Sequence, residues 1–200
     1  MIISNDCLAT GITGFSGIKN SLLKLYPFTE QQLHQFAERL TFKKLKKKDF
    51  LLRPGQISNT LAFINSGSLR LYTCTERGEF TINFFTESKW VADIESFLRQ
   101  QPSKNYIEAG ENTGIASIAL KDIHELMDIH PPFRMLNALL AEWMIPANHL
   151  AAIGTKNPDE RYKELLVKHP DWINRFPQMQ IASYLGMTPE TLSRVRARMA

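Results

Sequence analysis

The stretch Pro177-Gln178-Met179-Gln180-Ile181-Ala182-Ser183-Tyr184-Leu185-Gly186-Met187-Thr188-Pro189-Glu190-Thr191-Leu192-Ser193-Arg194-Val195-Arg196-Ala197-Arg198 decides how the C-terminal part of the chain folds. Ile181, Ala182 and Leu185 recur at helical spacing on one face, and Gly186 can take the positive φ that closes that helix. Thr188 is an N-cap candidate, and Pro189 suits the first position of a second helix whose Leu192 and Val195 turn inward. Met187 fills the gap between the helices, and Ala182 is small enough to let them cross closely. The pattern predicts a helix, a tight turn and a second helix.

The outward residues of the second helix are Thr188, Glu190, Thr191, Ser193, Arg194, Arg196 and Arg198. They are hydrogen-bond donors and acceptors, not the lysine–glutamate coat of an ordinary solvated helix, and such a front suits the major groove of DNA. Arg194 fits guanine O6 and N7 with two parallel hydrogen bonds, while Glu190 fits cytosine N4 or orients Arg194. Thr188 and Ser193 are expected at phosphate oxygens, with Gln178 and Gln180 clamping phosphate from the first helix. Arg196 and Arg198 supply charge toward the DNA backbone. The bland alternative is a helical hairpin with a basic end.

Upstream, the periodicity changes. Residues 18–40 read as helical, with Thr29 as an N-cap and Leu33, Phe36, Ala37 and Leu40 on one face. Then come short runs rich in branched and aromatic residues: Leu61–Ile64, Ser68–Thr73, Phe80–Phe85, Tyr106–Ala109 and Gly114–Ala119. Turn formers separate them, including Arg53-Pro54-Gly55-Gln56, Asn65-Ser66-Gly67 and Gly110-Glu111-Asn112-Thr113. Many short strands at close spacing predict an antiparallel barrel or jelly roll and not βαβ units. Leu120–Met127 reads as a short helix stopped before Pro131-Pro132. A longer apolar helix follows, with Phe133, Leu136, Leu139, Leu140, Trp143, Met144, Leu150 and Ile153, interrupted at Pro146. It is too apolar for one buried face, so part of it is expected to meet a second subunit. Gly154–Pro158 makes a hinge, with Asn157 capping the next helix and Pro158 opening it.

The 200 residues are 44 % hydrophobic and 22 % charged, enough apolar material for a core. No run approaches the roughly 18 apolar residues of a membrane span, and the N-terminus lacks the pattern of a secretion signal. Two cysteines, Cys7 and Cys74, have no metal-ligand spacing, so a cytoplasmic protein with free thiols, no metal and no cofactor is expected. The net charge of +4 is concentrated in two places. One is the C-terminal arginine set. The other is Arg39, Lys43, Lys44, Lys46, Lys47, Lys48 and Arg53, read either as a solvated strand edge or as an accessory anion or DNA contact.

At this point the chain resembles the Crp/Fnr superfamily of bacterial transcription regulators, from about Leu22 to Arg198. Leu52–Gln56 with Phe63–Arg70 is similar to the glycine-marked opening strands of a nucleotide-binding jelly roll. Tyr106–Thr113 is similar to its last hairpin, and Glu190-Thr191-Leu192-Ser193-Arg194 to the family's recognition helix. The resemblance implies an α+β fold. An N-terminal double-stranded β-helix (jelly roll, cyclic-nucleotide-binding-like) would occupy residues 18–130, a dimerisation helix and hinge 131–154, and a helix-turn-helix DNA-binding domain with a truncated or absent wing 155–200. It further implies a homodimer reading a palindromic operator in double-stranded DNA, with a small-molecule effector and RNA polymerase as further partners and no membrane association. Where relatives often carry arginine or serine before the recognition glutamate, this chain has Pro189, which alters base or phosphate contacts.

The cyclic-nucleotide version of the roll holds ribose and cyclic phosphate with a glycine–glutamate pair, then an arginine and a serine or threonine about ten residues on. Here Asp93 stands in for the sugar-binding acid, but Ser103 falls where the phosphate arginine belongs. Lys104 or Arg99 restores the charge only if it points inward. Asp93, Glu95, Arg99, Ser103 and Lys104 are therefore the candidate effector residues of a cavity with altered specificity or no nucleotide function. Their ordinary reading is loop polarity, with Trp90, Phe97 and Leu98 in the core. A cupin-like binding protein or enzyme is the competing class, yet residues 50–119 contain no histidine to ligate a metal. Catalysis is not expected.

Overall fold

A computed structural model describes residues 6–76, 78–143 and 155–199. Two helices open the chain, α1 (Asp6–Leu25) and α2 (Glu30–Ala37). The helical stretch expected over 18–40 is thus divided around Pro27. α2 starts at a reciprocal cap in which Gln32 N donates to Thr29 Oγ1 and Thr29 N donates to Gln32 Oε1.

Eight strands follow: β1 (Thr41–Leu45), β2 (Phe50–Leu52), β3 (Thr60–Ser66), β4 (Leu69–Thr75), β5 (Gly78–Phe85), β6 (Trp90–Val91), β7 (Asn105–Ala109) and β8 (Thr113–Ala119), with helix α3 (Ile94–Arg99) after β6. They form two four-stranded antiparallel sheets, ordered β1-β8-β3-β6 and β2-β7-β4-β5. This is a jelly-roll-like arrangement; β1 and β2 lie in the lysine-rich stretch read only as a candidate solvated strand edge, and β6 has no counterpart among the expected strands. Gly67 has φ +86, and a Cβ there would lie 2.6 Å from the Asn112 carbonyl oxygen, so the β3–β4 turn closes only with glycine.

The side-chain alternation sets three cores. Leu69, Leu71, Ile107, Ala109, Ile64 and Ile115 fill the space between the sheets. β3 is buried on both faces, because Leu61 and Phe63 point the other way, onto Ile18, Leu22, Phe36 and Trp90. Each such side chain fully removed from water contributes about 1.5–3 kcal/mol. The third core belongs to the C-terminal helices and includes Phe84 from β5.

Beyond the roll come α4 (Leu120–Ile129), a 3₁₀ turn (Pro131–Met135) and α5 (Leu136–Trp143). The rest of the expected dimerisation helix, including Pro146, Leu150 and Ile153, lies outside the described residues. The C-terminal part holds α6 (Pro158–Lys168), the single turn α7 (Trp172–Arg175), α8 (Gln178–Tyr184) and α9 (Pro189–Met199). Among the described residues no helix is long and apolar enough to cross a membrane.

Candidate nucleic-acid interface

The C-terminal unit is assembled from caps and one shared core. Asn157 caps α6 by accepting from Glu160 N at 2.9 Å, and Glu160 returns the bond to Asn157 N. Lys156, just before α6, and Lys168, at its end, both donate to Glu164, holding its carboxyl at about 2. Between α8 and α9 the chain turns at Gly186, whose φ is +62, and Met187 N donates to Ala182 O at 3.0 Å. Arg161 of α6 donates to the carbonyls of Leu185 and Gly186 at 2.5 and 3.2 Å, so the turn is tied from a third helix. Thr191 N donates to Thr188 Oγ1 at 3.2 Å, giving α9 the cap its sequence calls for. Ile181, Ala182, Leu185, Leu192 and Val195 are all buried together.

That packing fixes which face of α9 is free. Thr188, Pro189, Glu190, Ser193, Arg194, Arg196 and Arg198 are exposed, and Thr191 is half-buried. Arg194 donates to Thr191 Oγ1 at 3.4 Å, so in this structure threonine, not Glu190, is the hydroxyl or carboxylate bonded to it. The Glu190 carboxyl is held below its ordinary value by the backbone N–H at the helix start, by Thr188 and by the charge of Arg194. Arg198 is paired with Asp159 at 2.5 Å, so its charge is partly committed within the chain. On α8, Gln178 is exposed and Gln180 half-buried. The face thus offers a guanidinium fork, a carboxylate and hydroxyls on one rigid helix, a set that matches base edges and phosphates.

The candidate effector residues divide. Asp93 and Ser103 are 4 % and 5 % exposed, and Ser103 Oγ donates to Asp93 Oδ2 at 2.5 Å. Asn105 Nδ2 donates to the same oxygen at 3.1 Å. Glu95, Arg99 and Lys104 are exposed, and Arg99 pairs with Glu95 along the outside of α3 at 3.8 Å. Glu95 is carried away from Asp93 because the chain enters α3 directly after Asp93. Neither Arg99 nor Lys104 turns inward to replace the missing arginine. Leu98, expected in the core, is 45 % exposed on the same helix, while Trp90 and Phe97 are buried.

Residues 42–130 match the cyclic nucleotide-binding domain. Over 191 residues the chain is 25 % identical to electron transport regulator A of Shewanella oneidensis, covering 86 % of this chain and 75 % of that protein. It is 21 % identical to the cAMP-activated global transcriptional regulator CRP of Escherichia coli O6:H1, over 84 % of this chain and 87 % of that one. Among solved structures it is similar to FixK2 from Bradyrhizobium japonicum, with a TM-score of 0.68 at 16 % identity, covering 80 % of this chain and 84 % of that one. Over most of its length the chain is thus similar to named bacterial regulators, with the cyclic nucleotide-binding domain match falling within that stretch.

The C-terminal unit is docked on the roll, a relationship sequence reasoning missed. Ser183 of α8 accepts from Thr81 N at 2.9 Å and donates to Glu79 O at 2.8 Å, filling two backbone positions along β5, the outer strand of its sheet. Behind that edge the buried Arg70 donates to Thr81 Oγ1 and Glu79 Oε2 and lies over the Tyr72 ring. At the other end of β5, Arg175 makes a two-pronged contact with Glu87 at 2.7 and 2.6 Å and also reaches Glu111, which accepts from Ser68. Arg175 holds the Glu87 carboxyl at about 2 and keeps that of Glu111 below its usual range, where Ser68 contributes most. Alternation hides it, since Phe80, Ile82 and Phe84 would share one face of a regular strand; the register shift in β5 opposite Leu71 and Tyr72 turns Phe84 outward while Ile82 and Phe85 stay against the inner core.

Proposed function

We propose that the chain is a DNA-binding transcription regulator that acts as a cytoplasmic homodimer and reads a palindromic operator in double-stranded DNA through α9. The observation that carries this reading is the division of α9. Leu192 and Val195 are buried against α6 and α8, while Thr188, Glu190, Ser193, Arg194 and Arg196 stand exposed on the opposite side. Similarity over most of the chain to a protein named as a global transcriptional regulator supports it. In this reading residues 18–130 are the sensor roll, 131–154 the dimerisation helix and hinge, and 155–200 the helix-turn-helix domain. Gln178, Gln180, Thr188, Ser193, Arg196 and Arg198 contact phosphates, Glu190, Thr191 and Arg194 face base edges, and Pro189 shapes the approach.

Phe133, Leu136 and Leu140 pack in the chain's own core, and the dimer is supported by Met135, 41 % exposed beside them, and by the apolar sequence that continues to Ile153. For the effector, the roll is proposed to have left cyclic-nucleotide recognition. Asp93 already accepts from Ser103 and Asn105, and among the described residues no guanidinium is bonded to it. RNA polymerase is the further partner a promoter-bound regulator of this kind would meet. The test is selection of duplexes from a random library by the intact protein, followed by affinity measurement across salt. Enrichment of a two-fold-symmetric sequence with steeply salt-dependent affinity supports the reading; no enrichment and no binding at low salt would end it.

A further inference from the structure

We infer that the turn Lys46–Lys48 is a second phosphate-contacting surface for DNA, set beside α8 and held in register with it by Arg175. The inference rests on α9 being the DNA-reading helix. Lysines on β1 itself, Lys43 and Lys44, have a sufficient explanation in guarding the exposed edge of a sheet. Lys46, Lys47 and Lys48 do not, because they lie past the strand, in a turn that presents no ladder.

The turn is built, not loose. Lys46 N donates to Asp49 Oδ2 at 2.8 Å, Lys47 N to Asn112 Oδ1 at 3.2 Å and Lys48 N to Ala109 O at 2.7 Å. Lys48 takes φ +72, a conformation that side-chain-bearing residues adopt only where surrounding bonds impose it. All three side chains are exposed, and among the described residues none of the three ammonium groups is ion-paired. Three solvated cations are therefore projected from a fixed backbone.

Their neighbours give the partner. Asn112, which holds Lys47, follows Glu111, and Glu111 accepts from Arg175 of the C-terminal unit at 2.9 and 3.0 Å. A side chain beginning at Gly110 would lie 3.9 Å from the Phe176 ring. Only Phe176 and Pro177 separate Arg175 from Gln178, the first residue of α8. The lysine turn is thus linked, through the β7–β8 hairpin and Arg175, to the segment that leads directly into α8. A duplex engaged by α9 carries one charge per roughly 1.7 Å of axis and runs on past the reading helices on both sides. Lysine, a mobile point charge without a planar fork, suits phosphates at any sequence and reads no base. An acidic protein would meet the same lysines, but nothing would require them to sit beside the DNA-reading unit.

The experiment uses the intact protein and duplexes selected by it, in two forms: the selected core alone, and the same core extended on both sides. Wild type is expected to bind the extended form more tightly and with a steeper dependence of log K on log salt. Lys46→Gln, Lys47→Gln and Lys48→Gln together should remove that difference, lowering the slope on the extended duplex by about 2–4 across a dimer and leaving the core slope unchanged. Arg175→Met, with the lysines intact, should also erase the advantage of the extended duplex while sparing core binding. Equal affinity of wild type for both duplexes, or an unchanged advantage in the lysine variant, overturns the second surface. An unchanged advantage in Arg175→Met overturns the registering role of the clamp. Failure to bind any duplex overturns the regulator reading itself and is recognisable as such.

Discussion

The Phe84 ring of β5 stacks on the Phe176 ring of the C-terminal unit, with centroids 4.1 Å apart and planes inclined by 22°. Phe84 also meets Trp172 edge-on at 5.1 Å and is 2 % exposed. A side chain from the roll is therefore a core residue of the helical unit. Two parts that share a core residue are expected to unfold together, because separating them exposes that residue to water.

Phe84→Ala tests that coupling. Phenylalanine-to-alanine changes in cores cost about 3–5 kcal/mol, and the lower end is expected here because the two parts can separate and re-solvate. Urea unfolding followed by tryptophan fluorescence and by far-ultraviolet circular dichroism is expected to change from coincident to split curves. Coincident curves at the wild-type midpoint would show that the stack contributes nothing.

The Arg175 clamp has a defined pH signature. Glu87 is lowered from 4.5 to about 2 by its bonds to Arg175. A carboxyl depressed on folding stabilises the native state above its unfolded pKa, and that stabilisation is lost as pH falls through the folded value. Arg175→Met is expected to cost about 1 kcal/mol at neutral pH, because both partners are partly in water. The gap between variant and wild type should narrow steadily below about pH 4.5. Urea midpoints at neutral and acid pH measure it, and a gap independent of pH would refute the assignment.

Arg194 and Arg196 should fail differently. Arg194→Ala is expected to lose about 1–3 kcal/mol of discrimination at one base pair, with binding to random duplex nearly kept. Arg196→Ala should weaken all duplexes alike and flatten the salt slope by about 0.9 for each phosphate the guanidinium neutralises. Titrations on selected and scrambled duplexes separate the two outcomes, and equal losses for both variants would contradict the division.

In the roll, Ser103→Ala leaves the buried Asp93 with one donor fewer and is expected to cost about 1–3 kcal/mol. Thermal melting with millimolar cAMP is expected to show no stabilisation, whereas a ligand at a hundred times its Kd would add about 2.7 kcal/mol. A cAMP-dependent rise in melting temperature would contradict the reading of Asp93 as already satisfied.

The sequence made local order legible where one rule dominated. Gly186, Thr188 and Pro189 specify a turn and a cap by backbone chemistry alone, and the structure has both. Strands β3, β4, β5, β7 and β8 follow from branched and aromatic runs between turn formers. β1 was legible only as a candidate solvated strand edge, because its burial is confined to Leu45 and leaves no alternation to bound it. Glu95 and Arg99 were misplaced because a six-residue helix interrupts what reads as strand. The docking of Ser183, Arg175 and Phe84 depends on residues about 90–100 positions apart in the chain. No local pattern encodes such pairs, and only the fold brings them together.

The regulator reading stands most directly on one ratio: affinity for the selected operator over affinity for a scrambled duplex at the same salt. Wild type is predicted to discriminate by about a thousandfold or more. The double variant Glu190→Ala, Arg194→Ala is predicted to bring that ratio close to one while binding scrambled DNA nearly as well. If the double variant keeps the wild-type ratio, α9 is not the element that reads DNA.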